Sequence, residues 1–251
     1  KKMTSIIRVQ NIQYTDGDSA ITIADGGSVG IGTTSPSDIL HVKGFARIES
    51  NAGDAAYLRF DNDVNSGGKI WRAGAGVSAH GTFSIYNQTD NKFGINVDSN
   101  GHVTKPLQTA FSVTANQQNS LAINSNHTIQ FANEIFDQNS DFDHSNYTFQ
   151  APVTGKYMLN VNLRMDNVQY AHSYLYMSLV TSNRTYESII DLDRANSNNN
   201  NWDYMFLPIN VLADMDSSDT AYVIITIPNA GSASSSIVGS QKTTFSGYLA
   251  C

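Results

Sequence analysis

The sequence predicts an all-β protein, and three observations lead to this prediction. Only 15% of the 251 residues are charged, and Asp, Asn, Gly, Ser and Thr dominate the polar set. These residues favour turns and caps over helix interiors. No stretch of about a dozen residues keeps the 3.6-residue spacing of an amphipathic helix. From Tyr157 to Met165 apolar and polar residues alternate strictly, which is typical of a half-buried strand.

Charge and cysteine content argue against several classes of protein. The formal net charge of −7 argues against nucleic acid as a partner, because phosphate binding needs clustered Lys and Arg. No run of about 18 apolar residues is present that would span a membrane as a helix. Cys251 is the single cysteine, so stability must come from core burial or oligomerisation. Its thiol is either a dispensable tail group or lies near a threefold axis where copies meet.

Residues 1–44 are short apolar runs separated by turn residues, which we interpret as a β shaft segment. Asp25-Gly26-Gly27 between apolar pairs predicts a hairpin. The run 29–36, Val-Gly-Ile-Gly-Thr-Thr-Ser-Pro, is followed at 40–44 by Leu-His-Val-Lys-Gly. It resembles the Gly-Ile-Gly-Thr-x-x-Pro segment of trimeric bacteriophage tail-fibre shafts. Glycine permits close backbone approach, and the resemblance implies that three chains crowd one axis here. An ordinary Gly-rich hairpin is the alternative.

A weak internal repeat supports a modular shaft. The pattern Ile-x-Ile at 21–23, followed by Val29, matches Ile-x-Val at 95–97, followed by Val103, at one constant offset. Repetition of a short β unit is the expected signature of an array of such units.

Residues 45–104 predict a small β domain. Four apolar-rich runs, at 46–48, 56–60, 69–72 and 82–86, alternate with turn residues. Few apolar residues are available for an independent core, and we expect Trp71 to lie in that core. The Lys105-Pro106 step favours extended backbone and marks the predicted boundary after residue 104.

Residues 105–251 predict a jelly-roll domain. Phe149, Ala151, Pro152, Gly155 and Tyr157 spell Phe-x-Ala-Pro-x-x-Gly-x-Tyr, which resembles the signature of the C1q/tumour-necrosis-factor-like (C1q/TNF-like) jelly roll. The upstream run at 110–113 and the closing run at 244–249, Thr-Phe-Ser-Gly-Tyr-Leu, fit the same family in the same order. The resemblance implies a sandwich of two sheets that assembles as a homotrimer.

The strand faces of this domain give a predicted core. Period two places the side chains of one face in the interior, and turn signals separate further alternating runs at 175–180, 205–211 and 222–227. The residues expected to be buried are Phe149, Tyr157, Leu159, Val161 and Phe245.

Catalytic and metal-binding motifs are absent from the sequence. There is no Gly-x-Ser-x-Gly, no phosphate-binding loop and no His-Glu-x-x-His, so we expect no enzymatic activity. The six histidines have no metal-like spacing, and we expect them at the surface or in the shaft. Asp-x-Asp pairs at 141–143, 191–193 and 214–216 can supply the oxygen ligands that Ca²⁺ prefers. None continues as an EF-hand. We expect solvated turn aspartates and no cofactor, and Ca²⁺ is the open alternative.

Loop composition indicates where binding takes place. The loop at 196–204 is Asn-rich and contains two aromatic residues. Amides offer paired donors and acceptors, and Trp and Tyr combine an apolar ring with a polar tip. The acidic loop at 138–146 is the second choice. The candidate receptor-binding residues are Asn198, Asn199, Asn200, Trp202, Tyr204, Asp141 and Asp143.

The two resemblances together imply the distal part of a homotrimeric viral tail fibre. The implied location is the tail fibre of the virion, which is assembled in the host cytoplasm. The implied function is non-catalytic adhesion to a host cell-surface glycan or protein, with upstream tail-fibre or baseplate proteins as further partners. A polysaccharide-degrading tailspike is one alternative, although the long solenoid repeat that would favour it is missing. A secreted or bacterial C1q-like binding protein is another, and the shaft motif argues against it.

Overall fold

Every regular element in the described part of the chain is a β-strand, which confirms the predicted all-β class. The structure is a computed structural model, and it describes residues 11–13, 19–24, 26–51, 53–62, 66–192, 201–228 and 235–251. No helix among these residues is long and apolar enough to cross a membrane. The strands are β1 (Asn11–Gln13), β2 (Ser19–Ile23), β3 (Val29–Ile31), β4 (Leu40–Val42), β5 (Ala56–Asp61), β6 (Ile70–Ala75), β7 (Phe83–Asn87), β8 (Lys92–Val97), β9 (Val103–Thr104), β10 (Ala110–Ala115), β11 (Ser125–Thr128), β12 (Asn133–Asp137), β13 (Phe142–Asp143), β14 (Thr148–Gln150), β15 (Gly155–Val168), β16 (Tyr174–Thr181), β17 (Thr185–Asp191), β18 (Trp202–Met215), β19 (Thr220–Ile227), β20 (Ser236–Ile237) and β21 (Ser240–Leu249).

These strands form four sheets. The first has the order β1-β2-β3-β4, and the second has the order β5-β6-β7-β8-β9. The third, here called the front sheet, has the order β12-β10-β21-β15-β18 with β20 paired to β15. The fourth, the back sheet, has the order β13-β14-β19-β16-β17 with β11 paired to β19. All pairings in the front and back sheets are antiparallel.

The chain divides into two compact units, residues 1–84 and 85–251. The front and back sheets both belong to the second unit. The three-part division predicted from sequence, at 1–44, 45–104 and 105–251, stays a prediction.

The Gly-Ile-Gly motif lies on β3, between an antiparallel pairing with β2 and a parallel pairing with β4. A Cβ on Gly30 would clash with the carbonyl oxygen of Thr33, and a Cβ on Gly32 would stand 2.7 Å from that of Lys43. Gly32 also has a φ of +70°, which disfavours other residues. Contacts within one chain therefore already require these two glycines, whatever a neighbouring copy adds.

The two copies of the internal repeat fold in the same way. In the first, Ile23 pairs with Val29 and the turn is closed by Ala24 N–H donating to Ser28 O, at 2.9 Å. In the second, Val97 pairs with Val103 and the Asp98 N–H donates to His102 O, at 3.0 Å. The two hairpins are equivalent position by position, which supports the repeat read from the sequence.

The front and back sheets enclose one apolar core. The five side chains predicted to be buried are all fully inaccessible. The ring of Phe111 stacks on Phe149 at 4.7 Å and meets Phe245 edge-on at 5.0 Å between centroids. Rings in such offset and edge-on arrangements add about 0.5–1.5 kcal/mol per pair beyond their burial. This aromatic cluster joins β10, β14 and β21 across the sandwich.

The signature at 149–157 forms the corner between the back and front sheets. The hydroxyl of Tyr157 donates to the carbonyl of Val153 at 2.7 Å, which satisfies a phenol that is otherwise buried. A Cβ on Gly155 would lie 2.6 Å from Leu249 Cδ1 and 2.7 Å from Cys251 O. The tyrosine therefore fixes the corner, and the glycine lets the last residues pass beside it.

Strand β15 runs the length of the sandwich and defines two ends. Its 14 residues span roughly 45 Å at about 3.3 Å each. At the end that begins with Gly155, here called the base, Leu249 N–H donates to Thr109 O at 3.1 Å. The other end, where Val168 pairs with Trp202, is here called the apex.

Residues 1–84 leave large apolar side chains uncovered. Trp71 is 38% exposed, so the expectation that it lies in a core is wrong for the single chain. Ile39 is 83% exposed, and Leu40, Leu58 and Phe60 are each more than half exposed. A single chain gains little stability from these side chains, because apolar surface stabilises a fold only when it is removed from water.

Candidate functional site

The predicted receptor-binding residues fall into three groups. Asn198, Asn199 and Asn200 lie outside the described residues. Trp202 and Tyr204 belong to strand β18 and not to a loop, which corrects the sequence interpretation. They extend the antiparallel ladder with β15, where Trp202 pairs with Val168 and Tyr204 with Asp166. Asp141 lies beside the short strand β13, and Asp143 lies within it.

Trp202 serves the core at the apex. Its side chain is half-buried and packs against the apolar cluster between the sheets. Its indole nitrogen is shielded from solvent and has no hydrogen-bond partner among the described residues. A ring in this position closes the end of the sandwich, so little of it is available as a stacking platform.

Tyr204 lies on the outer face of the front sheet and is 62% exposed. The guanidinium of Arg164 stands 5.2 Å from the centre of its ring, a geometry in which cation and ring attract. Arg164 also holds Asp166 through two hydrogen bonds of 2.8 and 3.1 Å. The hydrogen bond to Asp166 is the largest cause of a raised pKa at Arg164. The three side chains form one surface cluster.

Asp141 and Asp143 have structural partners at the base. The Asp141 carboxylate accepts from Thr109 Oγ1 at 2.9 Å. Burial raises the pKa of Asp141, and this hydrogen bond partly opposes the shift. Asp143 accepts from both the backbone N–H and the hydroxyl of Ser145, at 2.8 and 2.7 Å. These bonds lower the pKa of Asp143.

The two described groups do not form one site. Asp141 lies close enough to Tyr157 to raise the pKa of the phenol, after burial as the main cause. Tyr204 pairs with Asp166, which lies on the same strand as Tyr157, β15. Nine residues of β15 separate the two positions, which is roughly 30 Å at 3.3 Å per residue.

The described residues contain no group of three His, Cys, Asp or Glu side chains that could hold a metal ion. Of the other Asp candidates, Asp193 lies outside the described residues. Asp214 pairs with Arg184 at 2.8 Å, and Asp219 accepts from the backbone N–H of Asp216 at 2.8 Å. His172 is fully buried with its Nε2 3.3 Å from Ser235 Oγ, so the expectation of surface histidines is wrong for this residue. The Ca²⁺ alternative stays a prediction.

Sequence reasoning passed over a cleft on the outer face of the back sheet. A cavity of about 270 Å³ is lined by Ser173, Tyr174, Ile189 and Asp191. The rings of Tyr174 and Tyr176 stack beside it with centroids 6.2 Å apart. The signal was present in the alternation along β16, because period two places both tyrosines on the face opposite the buried Leu175 and Met177.

The paired antiparallel sheets, the Tyr157 corner and the closing strand β21 beside β10 and β15 define a jelly-roll sandwich. The profile of the C1q domain family matches residues 110–250, more than half of the chain. The chain therefore belongs to the C1q domain family.

Solved structures of similar fold have low sequence identity to this chain. The globular domain of zebrafish complement 1qA is 15% identical, and the match covers 57% of this chain and 98% of that chain at a TM-score of 0.42. Eiger TNF from S. frugiperda is 11% identical, with 57% and 93% covered and a TM-score of 0.44. Murine APRIL is 11% identical, with 57% and 98% covered and a TM-score of 0.41. No curated protein matches the sequence.

Proposed function

We propose that this chain is the distal part of a homotrimeric viral tail fibre. In this proposal its C1q domain attaches the virion to a glycan or protein of the host cell surface, without catalysis. The proposal is carried by one observation: the C1q domain follows short β-strands whose apolar side chains a single chain leaves in water. The resemblance of the Gly-Ile-Gly segment to trimeric fibre shafts supports the same interpretation.

The outer face of the front sheet supports self-association. Register places Tyr248, Met158 and Leu212 side by side across β21, β15 and β18. Leu212 is 58% exposed, and Phe206, further along β18, is 53% exposed. The row of Tyr248, Met158 and Leu212 forms an apolar stripe, which Asn160 and Asn210 separate from Phe206. Exposed apolar surface of this kind favours contact with another protein. In a closed ring each copy meets the next through the same pair of surfaces.

The first unit favours the same state of assembly. Ile39, Leu40, Leu58 and Phe60 are exposed in the single chain. Three parallel copies around one axis would cover side chains of this kind, as the resemblance of the Gly-Ile-Gly segment to trimeric shafts implies. Assembly therefore supplies the burial that one chain cannot.

Assembly is tested by light scattering of the purified protein. We expect a mass of about three times 27.3 kDa. Leu212→Asp places a charge on the apolar stripe of the front sheet and should give monomers. Ile189→Asp is the matched control, because Ile189 is as exposed but lies on the back sheet. A parent protein that is monomeric at micromolar concentration, or a trimeric Leu212→Asp variant, would contradict the proposed assembly.

Attachment is tested with fluorescently labelled protein on intact bacterial cells. Three copies raise the effective affinity of weak sites, so the trimer should bind cells that the Leu212→Asp monomer does not. Release of reducing sugar ends from purified surface polysaccharide would instead favour the tailspike alternative. Electron density of intact virions tests whether this chain lies in the tail fibre. If the chain is absent from that density, a C1q-like binding protein of another origin is the remaining alternative.

A further inference from the structure

We propose that Leu212 of each copy in the homotrimer inserts into a hollow near the base of the next copy's C1q domain. The base hollow has a volume of about 450 Å³, and its lining includes Val103, Lys105, Gln108, Ala110, Gln138 and Tyr248. These residues and Leu212 all belong to the second compact unit. The inference rests on the proposed function, since it names the contact between copies, but the contact is tested separately from the trimer below.

A closed ring of three copies needs two different surfaces on each copy. A twofold dimer repeats one surface on both partners, whereas a ring joins one surface to a different surface on the next copy. The apolar stripe of the front sheet offers two such surfaces, because its ends differ. At one end it finishes with Leu212 on β18. At the other end Tyr248 pairs with Ala110, and both side chains line the base hollow.

Leu212 is the projecting surface. It is more than half exposed, and β18 is the last strand in the order of the front sheet. The alternation along β18 turns Leu212 outward, since the next residue, Ala213, is fully buried. A large apolar side chain at the edge of a sheet gains stability only when another surface removes it from water.

The base hollow is the receiving surface, and its walls are partly apolar. Val103 is 60% exposed and Tyr248 is 47% exposed in the single chain. Ala110 lies opposite Tyr248 and adds a small apolar side chain. Lys105 contributes its methylene stem, because a lysine can cover apolar surface while its ammonium group stays in water. A leucine side chain therefore finds apolar contacts in the hollow.

Hydrogen bonds within the chain hold the hollow open before a neighbour arrives. The side-chain amide of Gln138 donates to the carbonyl oxygens of Lys105, Pro106 and Gln108, at 3.0, 3.1 and 2.7 Å. The backbone N–H of Gln138 donates to Ala110 O at 2.9 Å. The segment before β10 is thus fixed to the loop after β12. A surface that is already ordered loses little conformational entropy on binding.

A second copy is the occupant because the hollow continues the apolar stripe. Tyr248 belongs to both, as it pairs with Met158 and also lines the hollow. The row from Ala110 to Leu212 crosses four neighbouring strands, which is roughly 14 Å at about 4.8 Å per strand. A partner that covers the stripe therefore reaches the hollow. The ring repeats this contact three times, and each contact covers Leu212 of one copy and the walls of the next.

Disulfide trapping tests the contact. A variant with Val103→Cys, Leu212→Cys and Cys251→Ser carries one thiol on each surface and no other cysteine. Diamide takes up the two hydrogen atoms of each thiol pair, so three contacts give three disulfides. We expect a covalent trimer on denaturing electrophoresis, which reductant returns to monomer. Ala110→Cys in place of Val103→Cys samples the opposite wall of the hollow.

The matched control replaces Leu212→Cys with Ile189→Cys in the same background. Ile189 is as exposed but lies on the back sheet. The covalent trimer should form at least ten times faster with the Leu212 pair than with this control pair. Leu212→Cys alone should stay monomeric on the gel, because a ring brings no two copies of this residue together. Light scattering before oxidation establishes that each variant is a trimer.

The outcomes separate the contact from the assembly. A variant that is trimeric in solution but gives no covalent trimer from either wall position overturns the contact and leaves the proposed trimer standing. Equal trapping of the Ile189 control overturns it as well, and so do covalent dimers of Leu212→Cys alone, which would mean that like surfaces meet. A monomeric parent protein removes both the contact and the proposed assembly.

Discussion

A close packing contact in the core of the C1q domain lies between Leu159 and Gly247, which pair across β15 and β21. Both are buried. A Cβ added to Gly247 would stand 2.7 Å from Leu159 Cδ2 and 2.8 Å from Phe111 Cε1. Real Cβ atoms essentially never approach so closely, so one of these side chains must move. The pair is a direct probe of packing between the two strands.

The magnitudes follow from this geometry. Leu159→Ala should cost about 2–5 kcal/mol, because it leaves a cavity in a fully buried site. Gly247→Ala should cost about 1–3 kcal/mol through overpacking. In the double variant the shortened side chain no longer meets the new methyl group. The double variant should therefore be more stable than the sum of the single effects by about 0.5–3 kcal/mol.

Urea unfolding at one fixed protein concentration measures these free energies, since the stability of an oligomer depends on concentration. Gly239→Ala is the matched control: its Cβ would meet Gln117 N at 2.6 Å, remote from Leu159. Combined with Leu159→Ala, it should be additive within about 0.5 kcal/mol. Equal coupling for Gly239 and Gly247 would refute the packing argument, and a Leu159→Ala effect below about 0.5 kcal/mol would mean that the strand face is inverted.

Three further outcomes are expected. Tyr157→Phe removes the corner hydrogen bond and should lower the free energy of unfolding by about 1 kcal/mol. Hydrogen bonds from His102 lower the pKa of Asp98. These bonds stabilise the turn at pH values above the unfolded pKa of Asp98, and the stabilisation is lost as the pH falls through the lower folded pKa. An NMR titration should show the lowered pKa of Asp98, and Asp98→Asn should abolish the pH dependence. Trp202→Ala should cost about 2 kcal/mol as a core truncation, whereas exposed Tyr204→Ala should change stability by less than about 0.5 kcal/mol, so cell-binding assays of Tyr204→Ala alone test this candidate cleanly.

The elements that local pattern defines were predictable from the sequence. Alternation along β15 identified the buried face from Tyr157 to Met165, because period two needs no knowledge of distant partners. The hairpin repeat was visible for the same reason: its turn and its paired apolar positions lie within ten residues. The Phe-x-Ala-Pro-x-x-Gly-x-Tyr signature also combines its corner and its strand in one short segment.

The candidate site depended on long-range pairing, which local composition does not contain. The Asn-rich run continues into Trp202, so composition alone extended the loop to Tyr204. Only the register with Val168 and Asp166 makes this segment a strand. In the same way, the buried His172 lies 3.3 Å from Ser235, which is more than 60 positions along the chain. Distance along β15 separates Asp141 from Tyr204, and the sequence gives no measure of it.

The meeting of Thr109 and Leu249 at the base has an evolutionary consequence. The backbone enters and leaves the sandwich through neighbouring positions joined by one hydrogen bond of 3.1 Å. A segment whose two ends lie side by side can be replaced as a cassette, because its substitute needs only matching ends and not a matching interior. Recombination at two short stretches of gene would then exchange the C1q domain as a whole and leave the hairpins before it unchanged.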